Sequence, residues 1–398
     1  MITRRTFLGT TLTAAIASPA VVTRGLAAEQ VRLCTALSLS GPFASAGQPA
    51  EAGTRLAVSA LAKDYGLDVS LTMIDDEGNP GRAIPKLIVA LQQGVRFFSG
   101  AVLSNVGLPM SAEVSNGGGV YVSSVGADEI TGSACRRSTF RWPVPSYGAM
   151  RQTIVPLIDK HPETKRWYTI TPKYVFGEAM LREAQNIFKE RNIEHVGNSY
   201  HSMTETEFSG YLTNAAAAQA DVLAILNFGP QSTNTLRQAA DFGLKQKMKI
   251  LLAWSAGTEQ YAEIGSDVLE DVYVGAQYDA AIDSPGNRRV VELFRKNLNV
   301  TPSYAMVNGY VTAMLLMEGI KAAGSTDPAQ VIKALEGRKY EGPTGDEELR
   351  AFDHQCIKNY YLLRGKAPTK KKDKDDYVDI ISFGKSFPDA QHSDCKMT

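Results

Sequence analysis

Neither sign of charge is in excess: 42 Lys and Arg residues face 42 Asp and Glu. Phosphate backbones demand a basic face, so this balance argues against a nucleic-acid partner. Past the N-terminus no run approaches the ~18 consecutive apolar residues of a spanning helix, and the mature chain is expected to be soluble. Histidine is scarce, at five residues, and none lies at metal-ligand spacing from the four cysteines, which form no C-x-x-C. The nucleophile elbow G-x-S-x-G is missing. Gly41 and Gly47 are separated by five residues and followed by Gln48, which breaks the P-loop pattern, and Pro42-Phe43 after Gly41 breaks the dinucleotide fingerprint. Without an identifiable nucleophile–base pair, the histidines read as surface or structural groups and the chain is expected not to be an enzyme. No cofactor is expected.

What is present begins at the N-terminus. Arg4-Arg5 precede Phe7-Leu8, a weakly apolar stretch and small residues up to Ala28. This is an export peptide over residues 1–28, with paired arginines suggesting the twin-arginine route and cleavage near Ala27 or Ala28. Export permits disulfides. Four cysteines allow three pairings. Cys395 lies in a polar tail that needs an anchor, and Cys356 precedes the strand-like NYYLLRG, so Cys356–Cys395 is the favoured pair. Cys34, inside an apolar run, reads as a small buried thiol. Asp75-Asp76-Glu77 could ligate a cation, but the following Gly-Asn-Pro is turn chemistry, and turn plus helix cap is the better account.

Short apolar runs alternate with amphipathic segments from VRLCTALSL onward, the rhythm of βαβ units and a parallel sheet. FRWPVPS (140–146) interrupts it with two prolines. The same rhythm then restarts at GAMRQTIVPLIDKH. Two α/β lobes therefore face one another, and ligands of such sheets sit at the carboxyl ends of the strands. The loop GPFASAGQ, at the first such end, supplies small side chains and helix N-terminal amides suited to a carboxylate.

That loop and its helix resemble the start of the substrate-binding proteins of branched-chain amino-acid-type ABC transporters, the leucine/isoleucine/valine-binding class of type I periplasmic binding proteins. IDDEGNPGRAIPKLI, SGAVLSNVGLPMS, VYVSSVGADEIT, FRWPVPS and KYVFGEAM are similar in order, and the likeness runs from about Val31 to Gly365. It implies two Rossmann-like lobes with parallel sheets joined by three hinge crossovers. Residues 29–143 and 277–345 would form lobe one, 144–276 and 346–366 lobe two, and 367–398 a C-terminal tail. It also implies a periplasmic carrier, expected to be a monomer, that closes on a small organic-acid ligand and docks on an inner-membrane ABC permease.

By the same resemblance Ser104, beside Asn105, receives the ligand carboxylate, and Val125, Gly126 and Ala127 form a second carboxylate-binding turn. Ala127 stands where amino-acid binders often carry threonine. Phe176 replaces a tyrosine, and Phe228 lies near another aromatic position. Trp254-Ser255 ends ILLAW, where amino-acid binders place an acid for the ligand ammonium; here no Asp or Glu occurs between Lys249 and Thr258. Phe43, Tyr147 and Tyr278 would face the cleft from loops and crossovers. A buried ammonium without a counter-charge is costly, so the expected ligand is an aromatic acid such as a benzoate or hydroxycinnamate. The alternatives are a branched-chain or other amino acid, or a sensory role for the same fold. Each aromatic could instead be core, and Asn105 a helix cap.

Overall fold

The computed structural model describes residues 30–397; the export peptide at residues 1–28 lies outside them. Strands β1 (Val31–Leu37), β2 (Val69–Asp75), β3 (Phe97–Gly100), β4 (Val120–Ser123) and β5 (Thr139–Arg141) form one sheet in the order β2-β1-β3-β4-β5. Every pair is parallel. Parallel neighbours need crossovers, and α1 (Ala44–Leu61), α2 (Pro80–Gln92) and α3 (Ser104–Asn116) supply them.

The chain then leaves this sheet. Helix α4 (Ser146–Lys160) leads into β6 (Arg166–Pro172), α5 (Val175–Glu190), β7 (Glu194–His201), α6 (Ser209–Ala217), β8 (Val222–Ile225) and α7 (Pro230–Asp241). After β9 (Lys249–Leu252) come α8 (Thr258–Ile264), α9 (Ser266–Leu269) and β10 (Tyr273–Ala276). The return segment holds α10 (Pro285–Leu298), α11 (Tyr304–Ala323) and α12 (Pro328–Leu335), then β11 (Lys339–Gly342), β12 (Gly345–Leu349) and β13 (Cys356–Ile357) in a small antiparallel sheet. Last are β14 (Tyr360–Gly365) and β15 (Val378–Gly384). The second large sheet runs β15-β14-β10-β9-β8-β6-β7, parallel from β10 to β7 and antiparallel at β14 and β15. Among the described residues no helix is long and apolar enough to cross a membrane.

Three departures from the sequence reading have physical causes. Helix α1 starts at Ala44, earlier than the Gly- and Pro-containing loop suggested, and carries Pro49 inside it. Its small residues let it lie against α11. A Cβ on Gly53 would stand 1.8 Å from Met306 O, and one on Gly309 would stand 2.0 Å from Ala50 O. Close packing overrides the local preference. Secondly, the segment read as a tail contributes β15, which pairs along β14. The strands placed in lobe two beyond residue 345 divide: β12 and β13 stay with the small sheet, bridged to the first lobe at Arg141–Gln355, and only β14 enters the second. Thirdly, the expected Cys356–Cys395 pair is not formed. Cys395 bonds Cys135, with Cα atoms 5.5 Å apart. Cys356 is fully buried, near Tyr340 Oη and Glu347. The tail instead reaches the first lobe, where Arg350 Nη1 donates to Pro388 O at 2.7 Å. Cys34 is buried and free.

The lobes are joined at residues 142–145, 277–278 and 358–359, and two polar side chains tie these crossovers together. Gln277 Oε1 accepts from Val144 N–H at 2.9 Å, while its Nε2 donates to Val144 O at 2.8 Å. Lys358 Nζ donates to Gln277 O at 2.8 Å and to Gln277 Oε1 at 3.0 Å. It also lies 4.4 Å from the Trp142 ring centre. Burial pushes the Lys358 ammonium down to about 8 from its ordinary 10.5, with Glu347 opposing that shift. Below pH 8 both folded and unfolded chains hold the proton, and folding bears the whole cost of burying it. Between pH 8 and 10.5 the folded chain releases it first, so stability rises with pH. Lys358→Met removes this contribution. The wild-type melting temperature, relative to that variant, is therefore expected to climb from pH 8 to 10.5 in paired thermal melts. A flat difference contradicts it.

Candidate functional site

Both parallel sheets point their carboxyl ends at one gap. From the first lobe come the end of β1, the first turn of α3, the loop after β4 and the first two turns of α11. From the second come the loops after β6, β8 and β9. A narrow cavity of about 40 Å³ lies between them. That is room for a few waters, the scale of a small organic molecule.

No lining residue is charged. The second lobe provides an aromatic wall of Tyr174, Phe176, Phe228 and Trp254. Phe176 meets Trp254 edge to face, with ring centres 5.0 Å apart at 89°, and Trp254 leans on Tyr360 at 5.6 Å. Such pairs hold their rings in place beyond what area burial achieves. The first lobe provides the polar edge. Ser104 opens α3, whose first amides have no acceptor within the helix. Its Oγ accepts from Ala127 N–H at 3.3 Å, which leaves the hydroxyl proton to donate elsewhere. Ala127 O is held by Arg141, buried behind it.

The lobes are closed on one another. A Cβ on Gly126 would stand 2.6 Å from both Phe176 Cε2 and Trp254 Cη2, and one on Gly257 would stand 2.8 Å from Tyr304 N. Phe43 approaches Gly229 in the same way, at 3.6 Å from the Cβ position. Arg182 on α5 reaches Asp128, in the first lobe, at 3.0 Å.

Ser104, Gly126, Phe176, Phe228 and Trp254 thus line the cavity. The remaining sequence candidates stand outside its lining. Phe43 is buried at the seam and Val125 packs beside Gly107. Asn105 keeps a buried Oδ1 without a partner. Tyr147 lies under Arg151, its N–H given to Asp128 Oδ1 at 2.9 Å. Ser255 bonds Tyr261 Oη at 2.8 Å, and Tyr278 is turned into the core, donating to Asn287 Oδ1 at 2.7 Å. Tyr174, Ser124, Tyr304 and Asn308 also line it and were not anticipated. Tyr304 and Asn308 lie one turn apart on α11, a helix buried along most of its length; a polar pair at i, i+4 on such a helix was the available signal. The acidic triplet is turn structure. Asp75 Oδ1 accepts from Leu39 N–H at 2.9 Å and Glu77 N–H at 3.0 Å, and the cap of α2 is Asn79 rather than a carboxylate. Among the described residues no group of three or more His, Cys, Asp or Glu could hold a metal.

A model of the periplasmic binding protein family matches residues 30–373. The chain belongs to that family. It is similar at 52% identity to an amino acid ABC transporter substrate-binding protein from Pseudomonas fluorescens Pf-5, with a TM-score of 0.89 over 92% of this chain and 99% of that one. A leucine-, isoleucine-, valine-, threonine- and alanine-binding protein of Pseudomonas aeruginosa is 22% identical over 86% of this chain and 93% of its own. An R. palustris solute-binding protein crystallised with benzoate shares the fold, at a TM-score of 0.81 and 21% identity, covering 92% of this chain and 100% of that one. This periplasmic binding protein is accordingly a solute receptor of an ABC transporter, a binding protein that works with a membrane permease and not an enzyme.

Proposed function

We propose that this receptor captures a small aromatic carboxylate. The observation that carries the reading is the cavity lining: rings on one side, hydroxyl and amide dipoles on the other, and no acid to meet an ammonium. An amino acid would bury its positive charge uncompensated. A monoanionic arene finds ring faces for its body and, for its carboxylate, the Ser104 hydroxyl with the first amides of α3. The same fold accommodates benzoate in the R. palustris protein. Export by the twin-arginine route, action as a monomer and delivery to an inner-membrane permease complete the proposal. The competing reading, a free amino acid, rests on the name of the 52%-identical relative.

A thermal-shift screen separates them. A ligand at 100 times its dissociation constant adds about 2.7 kcal/mol of stability. Benzoates and cinnamates are expected to raise the melting temperature and leucine or phenylalanine to leave it unmoved; the reverse pattern removes the proposal. Ser104→Ala should weaken a carboxylate by about 1.5–3 kcal/mol in calorimetry, as for hydrogen bonds to charged groups. Unchanged affinity would take Ser104 out of the site.

A further inference from the structure

Asn308 carries an unmet hydrogen-bonding demand. It is 8% exposed and lines the cavity from α11. Its Nδ2 is 3.4 Å from Ser124 O and 3.4 Å from Tyr304 Oη. Its Oδ1 is buried and has no partner. The amide cannot profitably be turned round. Ser124 O only accepts, so it must face the nitrogen, and the reversed side chain would set Oδ1 against that carbonyl, a repulsion that a hydrogen bond from Tyr304 Oη would not remove. A buried amide oxygen left without a donor costs free energy. The chain's own groups around the cavity do not relieve it.

Tyr304 defines what would. Burial pushes its phenol up, so it stays protonated. Its oxygen accepts from Asn308 Nδ2, which leaves the proton free to point elsewhere. The pair therefore holds one unanswered acceptor, the buried Asn308 Oδ1, beside one donor, Tyr304 O–H. A hydroxyl group both donates and accepts and answers the two together. An ammonium only donates, and with no acid in the lining it would remain uncompensated. A methyl group or a ring hydrogen answers neither.

We propose that the ligand bears a hydroxyl in addition to its carboxylate, and that Asn308, with Tyr304, selects hydroxylated aromatic acids over unsubstituted ones. This rests on the aromatic-carboxylate reading and adds a second polar anchor, on α11, to the one at Ser104. Asn308 and Tyr304 are then specificity determinants, whereas Ser104 serves every carboxylate alike.

The experiment uses matched pairs in which hydroxyl is replaced by methyl of nearly the same size. Calorimetry on the mature protein compares 2-, 3- and 4-hydroxybenzoate with the corresponding methylbenzoates, and 4-hydroxycinnamate with 4-methylcinnamate. In at least one pair the hydroxylated acid should bind about tenfold tighter or more, because rejecting a group that leaves buried polar atoms unpaired is what such sites do well. In Asn308→Leu that preference should disappear, with the methyl analogue held as well as before. Wild-type affinities equal within about twofold in every pair would mean that water satisfies Asn308, and the proposal falls. It also falls if the preference survives in Asn308→Leu. The wild-type comparison decides the matter even if the variant does not fold. Binding of methyl and hydroxyl acids alike leaves the aromatic reading standing and sinks only this inference. Binding of free amino acids with no aromatic acid sinks both.

Discussion

Gly126→Ala is expected to lower ligand affinity by roughly tenfold or more while leaving the ligand-free protein folded. Gly126 belongs to the loop after β4 in the first lobe, whereas the atoms it faces belong to the second. A methyl there would lie 2.6 Å from Phe176 Cε2 and 2.6 Å from Trp254 Cη2, inside any tolerable carbon–carbon contact. The rings cannot step aside easily. Phe176 and Trp254 brace one another, and Trp254 is further backed by Tyr360. The methyl acts as a wedge in the seam. Overpacking of this kind costs about 1–3 kcal/mol, and the cost falls on the closed form alone, because in an opened protein the loop and the rings separate. The variant should therefore melt near the wild-type temperature without ligand and show a reduced ligand-induced shift. Small-angle scattering should show less compaction on adding ligand. Full wild-type affinity would mean that the seam does not close as described.

Trp254→Ala should be the most damaging single change to the cavity. The side chain lies two residues beyond β9, is 2% exposed, and forms the wall between Phe176 and Tyr360. Truncating a buried Trp costs about 3–5 kcal/mol of stability through lost burial and the cavity left behind. It also removes a ring face from the ligand and frees Phe176 to rotate, so binding should weaken by about 2 kcal/mol or more, the scale of a hot-spot aromatic. Chemical denaturation and a binding titration read the two effects separately. The other two tryptophans, Trp142 and Trp167, lie outside the cavity lining, so the fluorescence change on ligand binding should be lost in this variant. An aromatic acid bound at wild-type strength would show that the wall does not touch it.

Both expectations concern contacts between residues fifty or more positions apart, and this is where reading the chain in order reaches its limit. The alternation of apolar runs and amphipathic segments is a local property, and the β1–α1–β2–α2–β3–α3–β4 series follows it closely. Ser104 and Trp254 came from the resemblance to the solute-binding class, and each follows a strand whose carboxyl end faces the gap. Tyr278 and Ser255 satisfied that rule equally well but spend their hydroxyls on Asn287 and Tyr261. Strand-end position selects a region of the fold, not the direction in which a side chain turns.

Two things could be had from composition and pattern alone: paired α/β lobes, and a stretch from Lys249 to Thr258 with no acid in it. Both depend on neighbours along the chain. Folding in three dimensions decided the Cys135–Cys395 bond, the edge strand β15 and the arrival of Tyr304 and Asn308 in the cavity. The disulfide and the cavity pair join segments distant in the chain. The last follows from the close approach of α1 and α11 at Gly53 and Gly309, where two helices that lack side chains at the contact bring their backbones together and carry a polar pair to the ligand's door.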